Sequence, residues 1–288
     1  MFSSFMVNTW LAGSIIAILA GVIGFFVVAR GASFAAHALP VGAFPGAAAA
    51  LLLGTSTLGG LVAFTALGVA GITWIGRRAR RDVATALALV ALLGLGALFL
   101  SMTSEYAPEV ESLLFGQILG VSSSEVAFLV LLAALCLVAV GVTFRPLMLT
   151  SVDEDLGHAL GISPRRADLV FLAILGLATA MAVPVVGTLL VFTLMVGPAA
   201  AAQLLSPRPS AALVLSTVLA ITTVWSAVVL SYATSWPVGF FVGAISAAVY
   251  VCARLATGQG SRASRHNRPA NLAEASTKRL EAADNLTT

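Results

Sequence analysis

Residues 9–29 have the sequence TWLAGSIIAILAGVIGFFVVA, an apolar run that contains no charged residue. A helix of about 20 apolar residues crosses a hydrocarbon core about 30 Å thick, so this run is long enough to span a membrane. It is too long for the apolar region of a signal peptide, and further apolar runs follow it without a convincing cleavage site. Residues 9–29 therefore predict the first transmembrane helix.

The composition of the whole chain supports a membrane protein. Of its 288 residues, 59% are hydrophobic and 9% are charged, with a mean hydropathy of +1.03. An average soluble domain carries about 25% charged residues, so a water-soluble fold of this size could not cover its surface. Cys136 and Cys252 lie inside apolar runs, which predicts small buried hydrophobic residues rather than a disulfide or a metal site. The expected fold is an all-α, polytopic transmembrane bundle.

The length criterion applied along the chain predicts nine spans. They are 9–29, 34–55, 58–76, 83–102, 126–143, 167–184, 186–204, 211–231 and 236–254. Ser/Thr or Pro/Gly residues, rather than charges, mark the boundaries at 55–58 and 184–186, so eight spans with a re-entrant segment are the alternative. The interrupted stretch between the fourth and fifth spans also predicts a short re-entrant or interfacial helix at Leu113–Leu119.

The arginines predict the orientation, because short loops rich in Lys and Arg stay in the cytoplasm. With nine spans and the N-terminus outside, every Lys and Arg lies on the cytoplasmic side. The basic residues of the span ends and loops are Arg30, Arg77, Arg78, Arg80, Arg81, Arg145, Arg165, Arg166, Arg208 and Arg254. The outer side receives Glu105, Glu109, Glu111 and Glu125. Residues 1–255 are therefore the predicted transmembrane domain, and the polar tail 256–288 is predicted to be disordered and cytoplasmic.

One cytoplasmic loop is a candidate for protein contact. Residues 151–166 have the sequence SVDEDLGHALGISPRR, in which acidic residues come first, Gly161 follows a short apolar stretch, and Pro164 and two arginines come last. This order predicts one short capped helix at about 153–166, outside the bilayer and stopped by Pro164. From the loop alone, the helix either anchors the interface or docks into a groove on a partner protein.

Prolines and one histidine within the spans are candidates for gating or passage. Pro40 and Pro45 fall in the second span, and Pro184 and Pro198 bracket a later apolar stretch. Prolines break the helical hydrogen-bond ladder, so they mark either moving, pore-lining elements or passive kinks. His37 lies at membrane depth near the cytoplasmic end of the second span, where it either serves metal passage or is a neutral histidine bonded to a carbonyl.

No catalytic motif is present in the sequence. It has no GxxxxGK[ST] loop for nucleotide phosphates, no HExxH and no CxxC pair, so we expect a transport protein without a cofactor of its own. Any ATPase must be another chain. The alternative is an ion-coupled secondary transporter of a small solute, which would need no ATPase partner. The cores of the spans lack Asp and Glu, which disfavours such coupling.

Several segments, taken in order, resemble the permease subunits of the zinc, manganese and iron branch of ABC importers. They are WLAGSIIAILAGVIGFFVVARGASF from residue 10, PGAAAALLLG from 45, Asp82, LFGQILGV from 114, DEDLGHALGI from 153 and VVGTLLVFTLMVGPAAAAQLLS from 185. The resemblance covers roughly residues 10–254 and implies the fold of a type II importer permease. It implies transport of divalent metal ions, zinc or manganese, across the bacterial cytoplasmic membrane.

The resemblance also implies partners. In the family, the loop matching Asp153–Arg166 is a coupling helix that docks into a cleft on the ATPase. The residues assigned to coupling here are Asp153, Glu154, Asp155, Leu156 and Gly161. The implied assembly contains an ATP-binding subunit with ATP and magnesium, a second permease that is an identical copy or a paralogue, and an extracytoplasmic metal-binding protein. Lipid surrounds the spans, and nucleic acid is not an expected partner.

One position departs from the family pattern. Family members carry GD.(I/L).H..LPG after the first span, with an aspartate and a histidine four residues apart. Aligned on Arg30 and Gly46, this chain has His37 in place of the aspartate and Val41 in place of the histidine. His37 is therefore the candidate metal residue of the pathway, and the identity of the metal stays open.

Overall fold

A computed structural model describes residues 4–77, 80–102 and 121–266, and within these ranges the chain is all-α. The helices are α1 (Ser4–Ala29), α2 (Ser33–Leu53), α3 (Thr57–Ile75), α4 (Arg81–Ser101), α5 (Ser123–Val152), α6 (Glu154–Ala159), α7 (Pro164–Val186), α8 (Thr188–Leu205), α9 (Pro209–Thr234) and α10 (Val238–His266). The predicted helix at Leu113–Leu119 lies outside the described residues.

Local capping explains two of the helix boundaries. After α2, Gly54 adopts a left-handed conformation with φ 62°, and Ser56 then caps α3 by accepting a hydrogen bond from Gly59 N–H. Before α5, Ser122 and Glu125 form a capping box in which Ser122 N–H donates to Glu125 Oε2 at 2.7 Å. The second and third predicted spans are therefore separate helices.

Among the described residues, eight helices are long and apolar enough to cross a membrane, and α8 is a shorter apolar helix. The described part of the chain thus confirms a transmembrane bundle of eight to nine spans. Helix α5 continues well beyond its predicted end at residue 143, as far as Val152, and so leads directly into the α6 loop.

Helix α1 fixes the directions of its neighbours. Asn8 Nδ2 donates to Val121 O at 3.3 Å near the start of α5, and Arg30 contacts the other end of α5, so α1 and α5 are parallel. Ser216 Oγ donates to Gly21 O at 2.8 Å, and Trp225 Nε1 donates to Ser14 Oγ at 3.0 Å, so α9 is antiparallel to α1. We call the end of the bundle where α1 and α5 finish the α6 end.

Helix α8 returns the chain to the α6 end. Helix α7 leaves that end and α9 begins there, and Gln203 Nε2 near the end of α8 donates to Phe25 O at 2.9 Å. With 18 residues, α8 is about 27 Å long, so it can make this passage. The described arginines at or near the α6 end are Arg30, Arg77, Arg80, Arg81, Arg145, Arg165, Arg166, Arg208 and Arg254.

The helices pack in two groups with α7 between them. Helices α2, α3 and α4 pack against one another, whereas α1 packs against α5, α8 and α9. A Cβ on Gly46 would lie only 2.1 Å from Gly60 O, and a Cβ on Gly24 only 2.0 Å from Met195 O. Such close approaches of helix backbones require glycine and are typical of membrane bundles.

Two expectations differ from the structure at the C-terminal end. Helix α10 continues to His266, past the tail boundary predicted after residue 255, and residues 267–288 lie outside the described part. Cys136 is buried as predicted, but Cys252 is exposed. The reason is that, among the described helices, α10 packs mainly against α8 and α9, which leaves one face of the helix uncovered.

Candidate functional site

The loop after α5 folds into the short helix α6. Asp153 is extended, and its Oδ1 accepts a hydrogen bond from Asp155 N–H at 2.9 Å, which begins the helix. Gly161 has φ 76°, a conformation that favours glycine, and Ile162 N–H donates to Gly157 O at 2.9 Å. These hydrogen bonds and the turn at Gly161 begin and end α6 within a few residues.

The predicted end of this helix was wrong. Pro164 does not stop it. Ser163 is the N-cap of α7 and Pro164 is the first residue of α7, so Arg165 and Arg166 belong to the transmembrane helix. Proline suits the first helical position because the N–H that it lacks would have no partner there. The coupling helix expected at about 153–166 is therefore α6 followed by a turn.

The surface of the α6 loop is acidic and apolar together. Asp153 and Asp155 are exposed, Leu160 is 59% exposed and Val152 is 73% exposed. Glu154 and Leu156 are helical in their backbone, and their side chains lie outside the described part. Exposed apolar side chains beside carboxylates are suited to protein contact. Sequence reasoning missed Leu160 and Val152.

Arg30 joins this loop to α1. Its side chain is only 4% exposed, and its Nη1 donates to Leu147 O at 2.9 Å, Thr150 Oγ1 at 2.9 Å and Ser151 Oγ at 3.2 Å. Its Nη2 forms a buried ion pair with Asp168 Oδ1 in α7. A buried guanidinium is stable only when it is paired and hydrogen-bonded, and here both the end of α5 and the start of α7 supply its partners.

Arg81 reaches the same carboxylate from α4. Its Nη2 lies 2.6 Å from Asp168 Oδ2, and the Arg81 side chain is 57% exposed. A polar cavity of about 130 Å³ lies beside this pair, lined in part by Thr150 and Asp153. Sequence reasoning missed this network, although a carboxylate two residues into an otherwise uncharged span is a feature that could have indicated it.

His37 lies on α2 and faces α8. Its imidazole packs edge-on against the Phe192 ring with centroids 5.0 Å apart, and its buried Nδ1 has no hydrogen-bond partner among the described residues. Within residues 4–77, 80–102 and 121–266, no group of three or more His, Cys, Asp or Glu side chains could hold a metal ion. The described part of the chain therefore offers a single imidazole here rather than a set of ligands.

The four singled-out prolines differ in their local effect. Helix α2 continues through Pro40 and Pro45, and α8 continues through Pro198. Helix α7 ends two residues after Pro184, at Val186, and Gly187 with φ 85° starts the turn into α8. Of the four, Pro184 is the one next to a helix break.

A comparison with known families agrees with the all-α membrane fold. The model of the ABC 3 transport family matches residues 2–257. The chain belongs to the ABC 3 transport family. This confirms the resemblance to ABC importer permeases that the sequence segments predicted.

Curated relatives agree with this assignment, and a solved structure shares the fold. The chain is 26% identical over 215 residues to the manganese transport system membrane protein MntC of Listeria monocytogenes, covering 74% of this chain and 76% of MntC. It is 28% identical over 217 residues to the manganese import system permease ScaB of Streptococcus gordonii, covering 75% and 78%. The structure of PsaBC from Streptococcus pneumoniae in complex with Fab superposes with a TM-score of 0.78 at 24% identity, covering 88% and 91%.

Membership in the ABC 3 family decides between the functions left open by the sequence. The chain is a membrane-embedded permease subunit of an ABC importer, a transport component rather than an enzyme, and ATP hydrolysis takes place on a separate chain. The alternative of an ion-coupled secondary transporter is wrong. The family works with an ATPase and a substrate-binding partner in the inner membrane.

Proposed function

We propose that this ABC 3 permease imports divalent metal ions, with Mn²⁺ as the principal cargo. The names of MntC and ScaB support manganese, and a further relative, 25% identical over 282 residues, is the chelated iron transport protein YfeC of Yersinia pestis. Zinc, expected from the sequence resemblance, is the competing cargo.

The α6 loop is the proposed docking site for the ATPase. Leu160 and Val152 supply apolar area, and Asp153 and Asp155 supply charge that can orient a basic cleft. Glu154, Leu156 and Gly161 complete the loop, Gly161 by ending the helix. ATP and magnesium are held by the partner chain, and this chain needs no cofactor of its own.

Arg30 gives the proposed docking site its connection to the membrane. The buried arginine bonds to the last turn of α5 and to Asp168 in the first turns of α7, so both helices that flank α6 are fixed to α1. This connection is the observation that carries the proposal, because a docking helix must be attached firmly to the elements that it moves.

The metal passes, in this proposal, along the surface of α2 that faces α8. His37 lies there with a buried and unpartnered nitrogen, and Pro40, Pro45, Pro184 and Pro198 lie on the neighbouring stretches of α2, α7 and α8. One imidazole is too few ligands for Mn²⁺, which prefers several oxygen and nitrogen donors. The remaining ligands are expected from a second permease, either an identical copy or a paralogue.

The proposed orientation has the N-terminus outside and the α6 end in the cytoplasm. The described arginines lie at or near the α6 end, as expected for the cytoplasmic side. The extracytoplasmic metal-binding protein then delivers its ion at the opposite end, and lipid covers the exposed apolar faces.

Uptake by the reconstituted complex tests this proposal. The permease, its ATPase and its binding protein are placed in proteoliposomes, and Mn²⁺ uptake is measured with ATP and with a non-hydrolysable analogue, with Zn²⁺ and Fe²⁺ as competitors. We expect uptake of Mn²⁺ that requires ATP. Uptake of Zn²⁺ alone would show that zinc, not manganese, is the cargo. Uptake of no divalent metal would overturn the proposed function.

A further inference from the structure

Asp168 lies at the meeting point of three helices. It is on α7, four residues after Pro164, and its two carboxylate oxygens pair with arginines from two other helices. Oδ1 binds Arg30 of α1, and Oδ2 lies 2.6 Å from Nη2 of Arg81 of α4. Asp168 is therefore one turn of helix away from the loop that follows α6, and it contacts both packing groups of the bundle.

The two arginines differ in their surroundings. The Arg30 side chain is 4% exposed, bonds to Leu147, Thr150 and Ser151 of α5, and lies over the Phe171 ring at 5.4 Å. The Arg81 side chain is 57% exposed. A buried pair is costly to break, whereas an exposed pair exchanges easily with water. Arg30 therefore makes a permanent contact and Arg81 a releasable one.

The Arg81–Asp168 ion pair links α4 to α7 at a place where the two helices hardly pack against each other. Helix α4 packs against α2 and α3 and shares at most marginal backbone contact with α7. The polar cavity of about 130 Å³ separates the start of α4 from the loop that leads into α6. The Arg81–Asp168 ion pair thus crosses a gap that helix packing leaves open at the α6 end.

We propose that Asp168 is a positioning residue that transmits the movement of α6 to α4. Arg30 makes α5, α6 and α7 move as one unit with α1, and Arg81 passes that movement directly to the start of α4 or releases it. Helices α2 and α3 also pack against α7, so the releasable Arg81–Asp168 contact acts locally, at the start of α4. A contact that is either made or released there is a two-state element of the kind that coupling requires. The inference rests on the proposed function of ATP-driven import.

The first test compares metal uptake per ATP hydrolysed for matched arginine variants. Arg81→Gln removes the exposed side of the network, and Arg80→Gln removes the same charge from a neighbouring exposed residue for which no ion pair is found among the described residues. We expect Arg81→Gln to lower the ratio about two- to fivefold, the range that an exposed ion pair can contribute. Arg80→Gln keeps the wild-type ratio, and Arg81→Lys, which keeps the charge, restores most of the loss.

The role of Asp168 itself is tested by combining changes. If Arg81 acts through Asp168, adding Arg81→Gln to Asp168→Asn lowers the ratio no further than Asp168→Asn alone. Additive losses would show that Arg81 acts elsewhere. Where Asp168→Asn fails to assemble, the comparison of Arg81→Gln with Arg80→Gln decides alone: equal uptake per ATP in these two variants would overturn the proposal.

A distance measurement tests the same inference without reference to the cargo. Spin labels are placed at Val83 of α4 and Val142 of α5, which are 48% and 79% exposed, after the exposed Cys252 is changed to serine. In the complex with its ATPase, nucleotide is expected to change the distance between the labels, and Arg81→Gln to reduce that change.

The outcomes separate the two claims. A complex that takes up no metal but shows the nucleotide-dependent distance change, reduced by Arg81→Gln, would overturn the proposed metal cargo. It would leave the coupling role of Asp168 intact. A wild-type complex that imports metal with no nucleotide-dependent distance change, or with the same change in Arg81→Gln, would overturn the coupling role alone.

Discussion

Replacement of Asp168 by asparagine is expected to destabilise the permease far more than replacement of Arg81, because it breaks the buried ion pair with Arg30 as well as the exposed pair with Arg81. Asp168→Asn keeps the size of the side chain and removes the charge. It leaves Arg30 with a side chain that is 4% exposed and without its counterion, held by the neutral oxygens of Leu147, Thr150 and Ser151. The remaining buried charge is the source of the cost.

The size of the effect follows from the exposure of the two groups. Removing one partner of a fully buried pair costs about 3–5 kcal/mol. Asp168 is 23% exposed and Arg30 keeps three neutral acceptors, so we expect a smaller cost than for a fully buried pair, about 2–3 kcal/mol. For a chain of this size, each kcal/mol corresponds to about 2–4 °C of melting temperature, which gives a fall of about 4–12 °C. The exposed Arg81 pair contributes about 0.2–1 kcal/mol.

The assay is thermal unfolding of the purified permease in one detergent, with wild type, Asp168→Asn and Arg81→Gln measured side by side. The expected order is a large fall for Asp168→Asn and at most a small one for Arg81→Gln. A melting temperature of Asp168→Asn equal to that of wild type would refute the reasoning, because Arg30 would then not depend on the carboxylate.

Three other changes have expected outcomes. Gly24→Ala places a Cβ 2.0 Å from Met195 O and is expected to cost about 1–3 kcal/mol in detergent melting, whereas Gly94→Ala, with nothing within 4 Å, is expected to cost nothing. Gly161→Ala forces an L side chain to φ 76° and should lower stability by about 1 kcal/mol and weaken ATPase binding, measured by co-purification. His37→Leu should preserve or raise the melting temperature, because Nδ1 has no partner among the described residues, while Mn²⁺ uptake falls; unchanged uptake would remove His37 from the pathway.

The sequence predicted the bundle well because lipid imposes simple rules on it. A run such as residues 9–29 must be a helix in a membrane, and the arginines indicate which ends lie together. The sequence left the α2–α3 boundary open, because no charge marks it, and the structure shows that Gly54 and Ser56 cap the two helices there. The same rules failed at Pro164, because proline is compatible with both the end of one helix and the first residue of the next.

The network at the α6 end could not be predicted in the same way. Arg30 and Asp168 are far apart in sequence, and their pairing depends on how α1, α5 and α7 pack, which no local pattern specifies. The exposure of Leu160 was missed for a related reason. The sequence does not show whether a leucine in a short helical loop is buried, because that depends on which other helices cover it. His37 was identified by its cost at membrane depth, and its contact with Phe192 needed the structure.

Docking of the ATPase on the α6 loop is the central claim, and one matched comparison tests it most directly. Leu160→Lys places a charge on the loop, and Leu205→Lys makes the same change at another exposed leucine, 44% exposed, near the same end of the bundle. In proteoliposomes with the ATPase and binding protein, we predict that Leu160→Lys loses ATPase binding and ATP-dependent Mn²⁺ uptake while Leu205→Lys keeps both. Full uptake by Leu160→Lys, or uptake that continues without the ATPase, would contradict the account.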